Sequence, residues 1–464
     1  MKIKMIGAAG GEVTGSAYVV QTSKTRVLVD AGMFQGGKQS EVKNRLPNGA
    51  KPSQIGAVLL THAHLDHTGR VPLLIKHGYT GPIFATRATL DLAEIILKDS
   101  AKIQSQDAER ANRKRDRAGK EPVEPLYGPE HVEPFRGLAR AVESRQSIRV
   151  AEGITARWLE ACHMLGSGSI ELTVDEDGRR KVVVFSGDLG PTTLPIVREF
   201  ERLQQADLVF LESTYGNRNH RPYAETVAEF EEIVKQVARK NGKILVPTFA
   251  IGRSQQILYH LAILFREKKV KPFPVYLDSP MAIQASRVFV KYPELFDEEL
   301  AEWTRRGLLP LDPRYFKACS TVDDSRKLNS VSGPCAILAG AGMCNAGRIL
   351  HHLKENLWRS ESHVLIVGYQ GYGSLGRRLV DGEKFVGVLG ERLAVRAGIH
   401  TLNGFSAHAG QSELLEWFGA LAPSKPRVIL THGENPAREA MSRFIRERFR
   451  LPSELPALGD VIEM

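Results

Sequence analysis

Ala57-Val58-Leu59-Leu60-Thr61-His62-Ala63-His64-Leu65-Asp66-His67 decides the reading of this chain. Its first four residues are a short, uninterrupted apolar run, the pattern of a buried strand, and the six positions from 62 to 67 then crowd together three imidazoles and a carboxylate. A cluster at the C-terminal end of a buried strand stands where open α/β sheets gather their ligands. Imidazole nitrogen with carboxylate oxygen, and no thiolate, suits zinc, manganese or iron better than calcium or magnesium. The bland alternative is a set of solvated loop histidines, and four ligand-type residues packed so closely weigh against it. One such cluster cannot saturate two ions, so further ligands must arrive from elsewhere in the chain.

Length and composition set the frame for that search. A chain of 464 residues exceeds one compact core and points to two or three domains; 42% hydrophobic and 25% charged residues are those of a soluble globular protein. The net charge of +10 favours an anionic partner. Cys162, Cys319, Cys335 and Cys344 lack C-x-x-C spacing and read as reduced thiols. Met1 leads directly into the strand-like Lys2–Ile6, and no apolar stretch reaches membrane-spanning length, so the expectation is a cytoplasmic protein without signal peptide or membrane partner.

The first part of the chain is rich in strand signals. Asp30 closes the strand Val27–Val29, where a carboxylate could orient metal ligands or simply cap a turn. A long helix starts near Arg87 and stops before Gly119; its charge run Glu109–Arg117 reads chiefly as a solvated face. Asp177-Gly178 is a hairpin turn between Ile170–Val174 and Lys181–Phe185. Two further ligand candidates follow strands: His163, after Thr155–Ala161, and Asp188, just past Phe185. An aspartate between two ions can bridge them.

From residue 207 near-continuous apolar strands alternate with helical stretches, as in Ile244–Val246 followed by a helix from Arg253, which signals a parallel, doubly wound sheet. Leu208–Leu211 is read as the first of these strands. Three glycine-rich turns in this region carry Arg253 and Ser254, Arg348, and Ser374 with Arg377. Each lies between strand and helix, where free backbone N–H groups favour an anion, so these residues are candidates for phosphate. The tail returns to strands and brings Ser406, His408 and, after the apolar run Val428–Leu430, His432. Arg443, Arg446, Arg448 and Arg450 on the last helix read as a solvated face.

His62-Ala63-His64-Leu65-Asp66-His67, with His163, Asp188 and Asp30, resembles the metallo-β-lactamase fold, and Glu212, His408 and His432 resemble the extra motifs of its β-CASP nuclease branch. The resemblance implies an α/β protein: an αββα sandwich over residues 1–206 and 396–464, with a β-CASP domain on a mainly parallel sheet inserted at 207–395. It implies two zinc ions, with manganese as an allowed substitute. His62, His64 and His163 would hold one, Asp66, His67 and His432 the other, and Asp188 would bridge. A hydroxide shared by the ions would attack phosphorus. His408, paired with Glu212, would be the general acid, and Ser406 would help hold the phosphate. A histidine matching His432 resembles the RNA-processing members, whereas DNA-repair members tend to carry valine.

The expected function is therefore a ribonuclease, endonucleolytic or exonucleolytic, acting on single-stranded RNA, with a homodimer allowed. The chain is expected to lack the nucleic-acid modules that some relatives add around this core. Competing readings are a hydrolase of a small ester, thioester or lactam, a DNA nuclease of the same branch, and a catalytically silent RNA-binding subunit.

Overall fold

The run Ala57–Leu59 is a strand, fully buried, and the structure, a computed structural model, is built outward from it. It describes residues 1–36, 39–46, 51–309, 311, 316–371 and 373–464; Tyr372, in the third glycine-rich turn, lies outside the described residues. Contacts divide the chain into two units, Met1–Thr192 with Glu199–Asn219 and His408–Met464, and Thr193–Arg198 with His220–Ala407.

The first unit is a sandwich of two sheets. One runs Val461–Glu463, Lys2–Met5, Tyr18–Gln21, Arg26–Val29, Ala57–Leu59, Ile83–Thr86, Ala139–Val142, and is parallel from Arg26–Val29 onward. The other runs Ser453–Glu454, Arg427–Thr431, Leu208–Glu212, Arg179–Phe185, Gly168–Glu176, Ile154–Glu160, Ile148–Ala151. Alternation along strands such as Lys2–Met5 turns one set of side chains inward. Ile3, Met5, Val20, Val27 and Leu59 from one sheet thereby share a core with Trp158, Ile170, Val183, Phe210 and Ile429 from the other. Trp158 also ties the layers polarly, its Nε1–H donating to Leu60 O at 2.9 Å. The helix Arg87–Arg117 packs on the first sheet and Asn435–Phe449 on the second, which completes the αββα order. The expected hairpin is present, with Asp177 and Gly178 both at positive φ, as a two-residue type I′ turn requires.

The second unit carries a parallel sheet in the order Lys317–Ala318, Val275–Asp278, Cys335–Ala339, Lys243–Pro247, Ser362–Ile366, Gly398–Thr401. Lys243–Pro247, Cys335–Ala339 and Ser362–Ile366 are buried along their whole length, as strands covered on both faces must be. Apart from Thr193–Arg198, which joins the second unit early, the second unit runs His220–Ala407, about a dozen residues later at each end than the 207 and 395 read from the sequence. Leu208–Glu212 pairs in parallel with Arg179–Phe185 and Arg427–Thr431, inside the first unit. Gly398–Thr401 pairs with Ser362–Ile366, inside the second. An apolar run announces a buried strand without saying which sheet receives it.

Candidate metal centre

The heptad after Ala57–Leu59 reaches the centre through a bend and a single helical turn, Leu65–Thr68. Gly32 makes room for that turn: a Cβ there would stand 1.6 Å from Asp66 O, so no other residue fits without moving the ligand loop. Asp30, buried and at φ 56°, accepts from Thr61 N at 2.8 Å and Thr61 Oγ1 at 2.9 Å, and pairs with His67 Nδ1 at 2.7 Å. The Thr61 proton is spent on Asp30, so its Oγ1 accepts from His62 Nδ1–H at 3.1 Å. Likewise Thr214 Oγ1 donates to His432 O at 3.1 Å and receives His432 Nδ1–H at 3.2 Å. These networks assign the same tautomer to His62, His67 and His432, each with a bare Nε2 turned inward.

Around those nitrogens stand two groups of ligand atoms that share one residue: His62, His64, His163 and Asp188, and Asp66, His67, Asp188 and His432. His64 Nδ1 lies 3.2 Å from His62 Nε2 and 3.0 Å from His163 Nε2, and His67 Nε2 lies 3.3 Å from His432 Nε2. Asp188 turns Oδ2 toward His62 and His163, at 3.5 and 3.6 Å, and Oδ1 toward His67 and His432, at 3.2 and 3.5 Å. Asp188 Oδ1 is buried and has no hydrogen-bond partner among the described residues. Facing lone pairs and an orphaned carboxylate oxygen are costly in the absence of a cation. Nitrogens about 2.0–2.1 Å from a tetrahedral zinc stand about 3.3 Å apart, close to the spacing found here. The donor set therefore suits a bound metal such as zinc.

The electrostatics divide the rings. Burial and the neighbouring imidazoles hold His62 well below the ordinary histidine value, and burial takes His64 down to about 4, so both offer neutral nitrogen. Burial also opposes charge on His67, but Asp188 and Asp30 overcome it and push that ring well above the usual value. The carboxylates thus favour positive charge at the centre.

Glu212 and His408 form a third arrangement beside Asp188. Glu212, buried at the end of its strand, accepts from Leu189 N at 2.9 Å and Thr214 N at 3.1 Å. Its Oε1 stands 3.3 Å from His408 Nδ1, and His408 Nε2 stands 3.9 Å from Asp188 Oδ2. Burial lowers the His408 pKa, but the Glu212 and Asp188 carboxylates outweigh it and raise the ring to about 9.

All the ligand candidates read from the sequence, with Asp30, Glu212 and His408, thus converge within the first unit. The six phosphate candidates, Arg253, Ser254, Arg348, Ser374, Arg377 and Ser406, all lie in the second. The structure gives several of them other tasks. Arg348 binds the buried Asp278 at 2.7 Å together with Cys319 O and Ser320 O. Ser254 Oγ donates to Phe249 O, and Ser374 Oγ caps its helix by accepting from Arg377 N. Buried Arg253 bonds Gln256. Arg377 is exposed and pairs with Asp381 at 2.9 Å. Sequence reading missed Thr61 and Thr214, the hydroxyls that set two imidazole tautomers; a threonine beside a ligand motif is the only signal either offered.

Comparison with known proteins adds the following. Residues 10–248 match the metallo-beta-lactamase superfamily, 254–379 the Beta-Casp domain, and 392–456 the Zn-dependent metallo-hydrolase RNA specificity domain. Ribonuclease TTHA0252 of Thermus thermophilus is 41% identical over 97% of this chain and 96% of its own. Transcription termination factor FttA of Methanosarcina mazei is 30% identical over 96% of this chain and 69% of its own. A crystal structure of a protein of unknown function from Enterococcus faecalis V583 shares the fold, with a TM-score of 0.55 at 13% identity over 100% of this chain and 99% of that one.

Proposed function

The chain belongs to the metallo-β-lactamase superfamily and carries its Beta-Casp domain, and from that premise we propose that it is a two-zinc ribonuclease hydrolysing phosphodiester bonds of single-stranded RNA. The observation that carries the reading is the pair of ligand groups joined at Asp188, with the Glu212–His408 pair, the third cluster that shares Asp188, beside them. His62, His64 and His163 would hold one zinc, Asp66, His67 and His432 the other, and Asp188 both; manganese could replace zinc in this nitrogen and oxygen set. Bound there, the ions would supply Lewis acidity and water whose pKa falls from about 15.7 to about 7.

The chain's own groups do the rest. Asp30, Thr61 and Thr214 hold the imidazoles in one tautomer. Glu212 receives His408 Nδ1–H, so His408 Nε2, turned toward the centre, is the proton carrier. The Glu212 carboxylate beside it favours the charged ring, the form that can protonate the leaving oxygen. Of the phosphate candidates, exposed Arg377 is the one best placed to exchange its partner Asp381, since an exposed ion pair contributes little.

Metal analysis of the purified protein, followed by end-labelled RNA, single-stranded DNA and a panel of small esters, thioesters and lactams, tests the proposal. About two zinc ions per chain and cleavage of RNA in preference to the others are expected. A protein without transition metal that stays inactive when zinc or manganese is added, or one that hydrolyses only the small substrates, would refute it.

A further inference from the structure

Three neighbouring strands of the second unit, Cys335–Ala339, Lys243–Pro247 and Ser362–Ile366, run parallel and deliver their following loops to one edge of the sheet. Two large aromatic side chains emerge there half open to solvent: Phe249, 45% exposed, and Tyr369, 47% exposed. Single exposed aromatics are ordinary on protein surfaces. The support beneath these two is not.

Phe249 rests on backbone. A Cβ at Gly342 would stand 2.9 Å from ring atoms Cδ2 and Cε2 of Phe249, and one at Gly368 would stand 3.9 Å from Cε2. Gly342, where a Cβ would crowd the ring, leaves room for Phe249 beside its loop while the remainder of the ring's surface stays open. The loops are locked together by buried Gln370, whose Nε2 donates to Gly342 O at 2.9 Å and Gly368 O at 3.2 Å. Ser254 Oγ donates to Phe249 O at 2.8 Å and fixes the backbone of the aromatic residue itself. Tyr369 lies between Gly368 and Gln370 in the same stapled loop, and Arg377 stands in the helix Leu375–Val380 that follows it. Half-open rings on stapled loops, with the exposed Arg377 in the helix that follows the second loop, in a chain of net charge +10, complement a flat apolar group linked to phosphate.

We propose that Phe249 and Tyr369 form a stacking platform for unpaired bases of single-stranded RNA, with Arg377 on the adjoining backbone phosphate. Stacking is tolerant of sequence because every base has a π-face, and a platform already rigid loses little entropy when occupied. The inference rests on the RNA reading above and deepens it: the inserted unit would grip bases as well as phosphates.

Binding of the full zinc-loaded chain to a short phosphorothioate oligoadenylate, and to the same backbone with abasic sugars, tests it by fluorescence anisotropy. Both ligands carry equal charge, so the electrostatic contribution cancels in the comparison. The wild-type protein should prefer the oligoadenylate by roughly tenfold or more. Phe249→Ala with Tyr369→Ala should erase that preference while leaving abasic binding unchanged, and Phe249→Trp should retain it. Equal binding of both ligands by the wild type, or equal weakening of both by the alanine variant, would overturn the platform. If RNA is still cleaved in that case, only this inference falls; if neither ligand binds and no RNA is cleaved, the ribonuclease reading falls with it.

Discussion

Asp30→Asn isolates the part of the centre that orients rather than ligates. The native carboxylate accepts from Thr61 N–H and from His67 Nδ1–H, the latter across 2.7 Å between two buried groups. Asparagine keeps an oxygen for Thr61 N but presents an amide N–H to His67 Nδ1. The imidazole must then either lose that bond or carry its proton on Nε2, the atom that faces His432 and Asp188. A hydrogen bond to a charged group contributes about 1.5–3 kcal/mol. At about 1.4 kcal/mol per decade this predicts a roughly 10- to 100-fold loss of zinc affinity, the range found when such supporting partners are removed elsewhere. The loss should fall on the ion held by Asp66, His67 and His432. His62, which meets Asp30 only through Thr61 Oγ1, should keep its ion with a several-fold smaller change. Titration of zinc against a competing chelator resolves the two sites. Equal weakening of both, or no weakening of either, would refute the claim that Asp30 acts through His67.

His408→Ala should slow RNA cleavage by about 10²–10⁴-fold, the usual contribution of a positioned acid, while both zinc ions remain bound; parallel loss of metal would make His408 a ligand instead. Trp158→Ala removes a fully buried indole and its bond to Leu60 O, so denaturant unfolding should show a loss of about 3–5 kcal/mol, and a loss below about 1 kcal/mol would mean the sandwich core does not depend on it. Arg377→Ala should weaken RNA binding and flatten its dependence on log salt by about 0.7, the share of one phosphate on a single strand; an unchanged slope would leave Arg377 to its pairing with Asp381.

The sequence shows the fold most clearly where patterning is local. Residues 57–60, 244–246 and 336–338 read as buried strands because nothing polar interrupts them, and they are buried. Arg443, Arg446, Arg448 and Arg450 read as a solvated face and are exposed. Arg438, three residues into the same helix, carries the same charge and is buried, donating to Leu430 O at 3.1 Å and Pro456 O at 2.7 Å. Arg348 is the parallel case: its glycine-rich surroundings suggested phosphate, and its partner proved to be Asp278, seventy residues earlier. An arginine's partner is a tertiary fact, and composition around the arginine does not name it.

The centre was legible for a different reason. Each proposed ligand group follows the end of a strand, as His62–His67 follow Ala57–Leu59, His163 follows Ile154–Glu160, Asp188 follows Arg179–Phe185 and His432 follows Arg427–Thr431. Two sheets packed face to face bring such ends to one edge of the sandwich, so a ligand-type residue just past a strand is already most of the way to the site. What the pattern could not show is how the last few ångströms are closed. Asp30, Cys162 and His432 all adopt left-handed backbone, at φ 56°, 64° and 49°, and none is glycine. Asp30 sits under His67, Cys162 precedes His163, and His432 is itself a proposed ligand. Such conformations cost of order 1–3 kcal/mol for ordinary residues and persist where surrounding contacts over-determine them. Here His432 N donates to Ala8 O at 2.9 Å, while Thr214 holds both the His432 carbonyl and its ring. The strain is spent on aiming side chains rather than on folding the chain. Propensity would place glycine or asparagine at those positions, so the residues that aim the centre are the ones local sequence rules are least able to foresee.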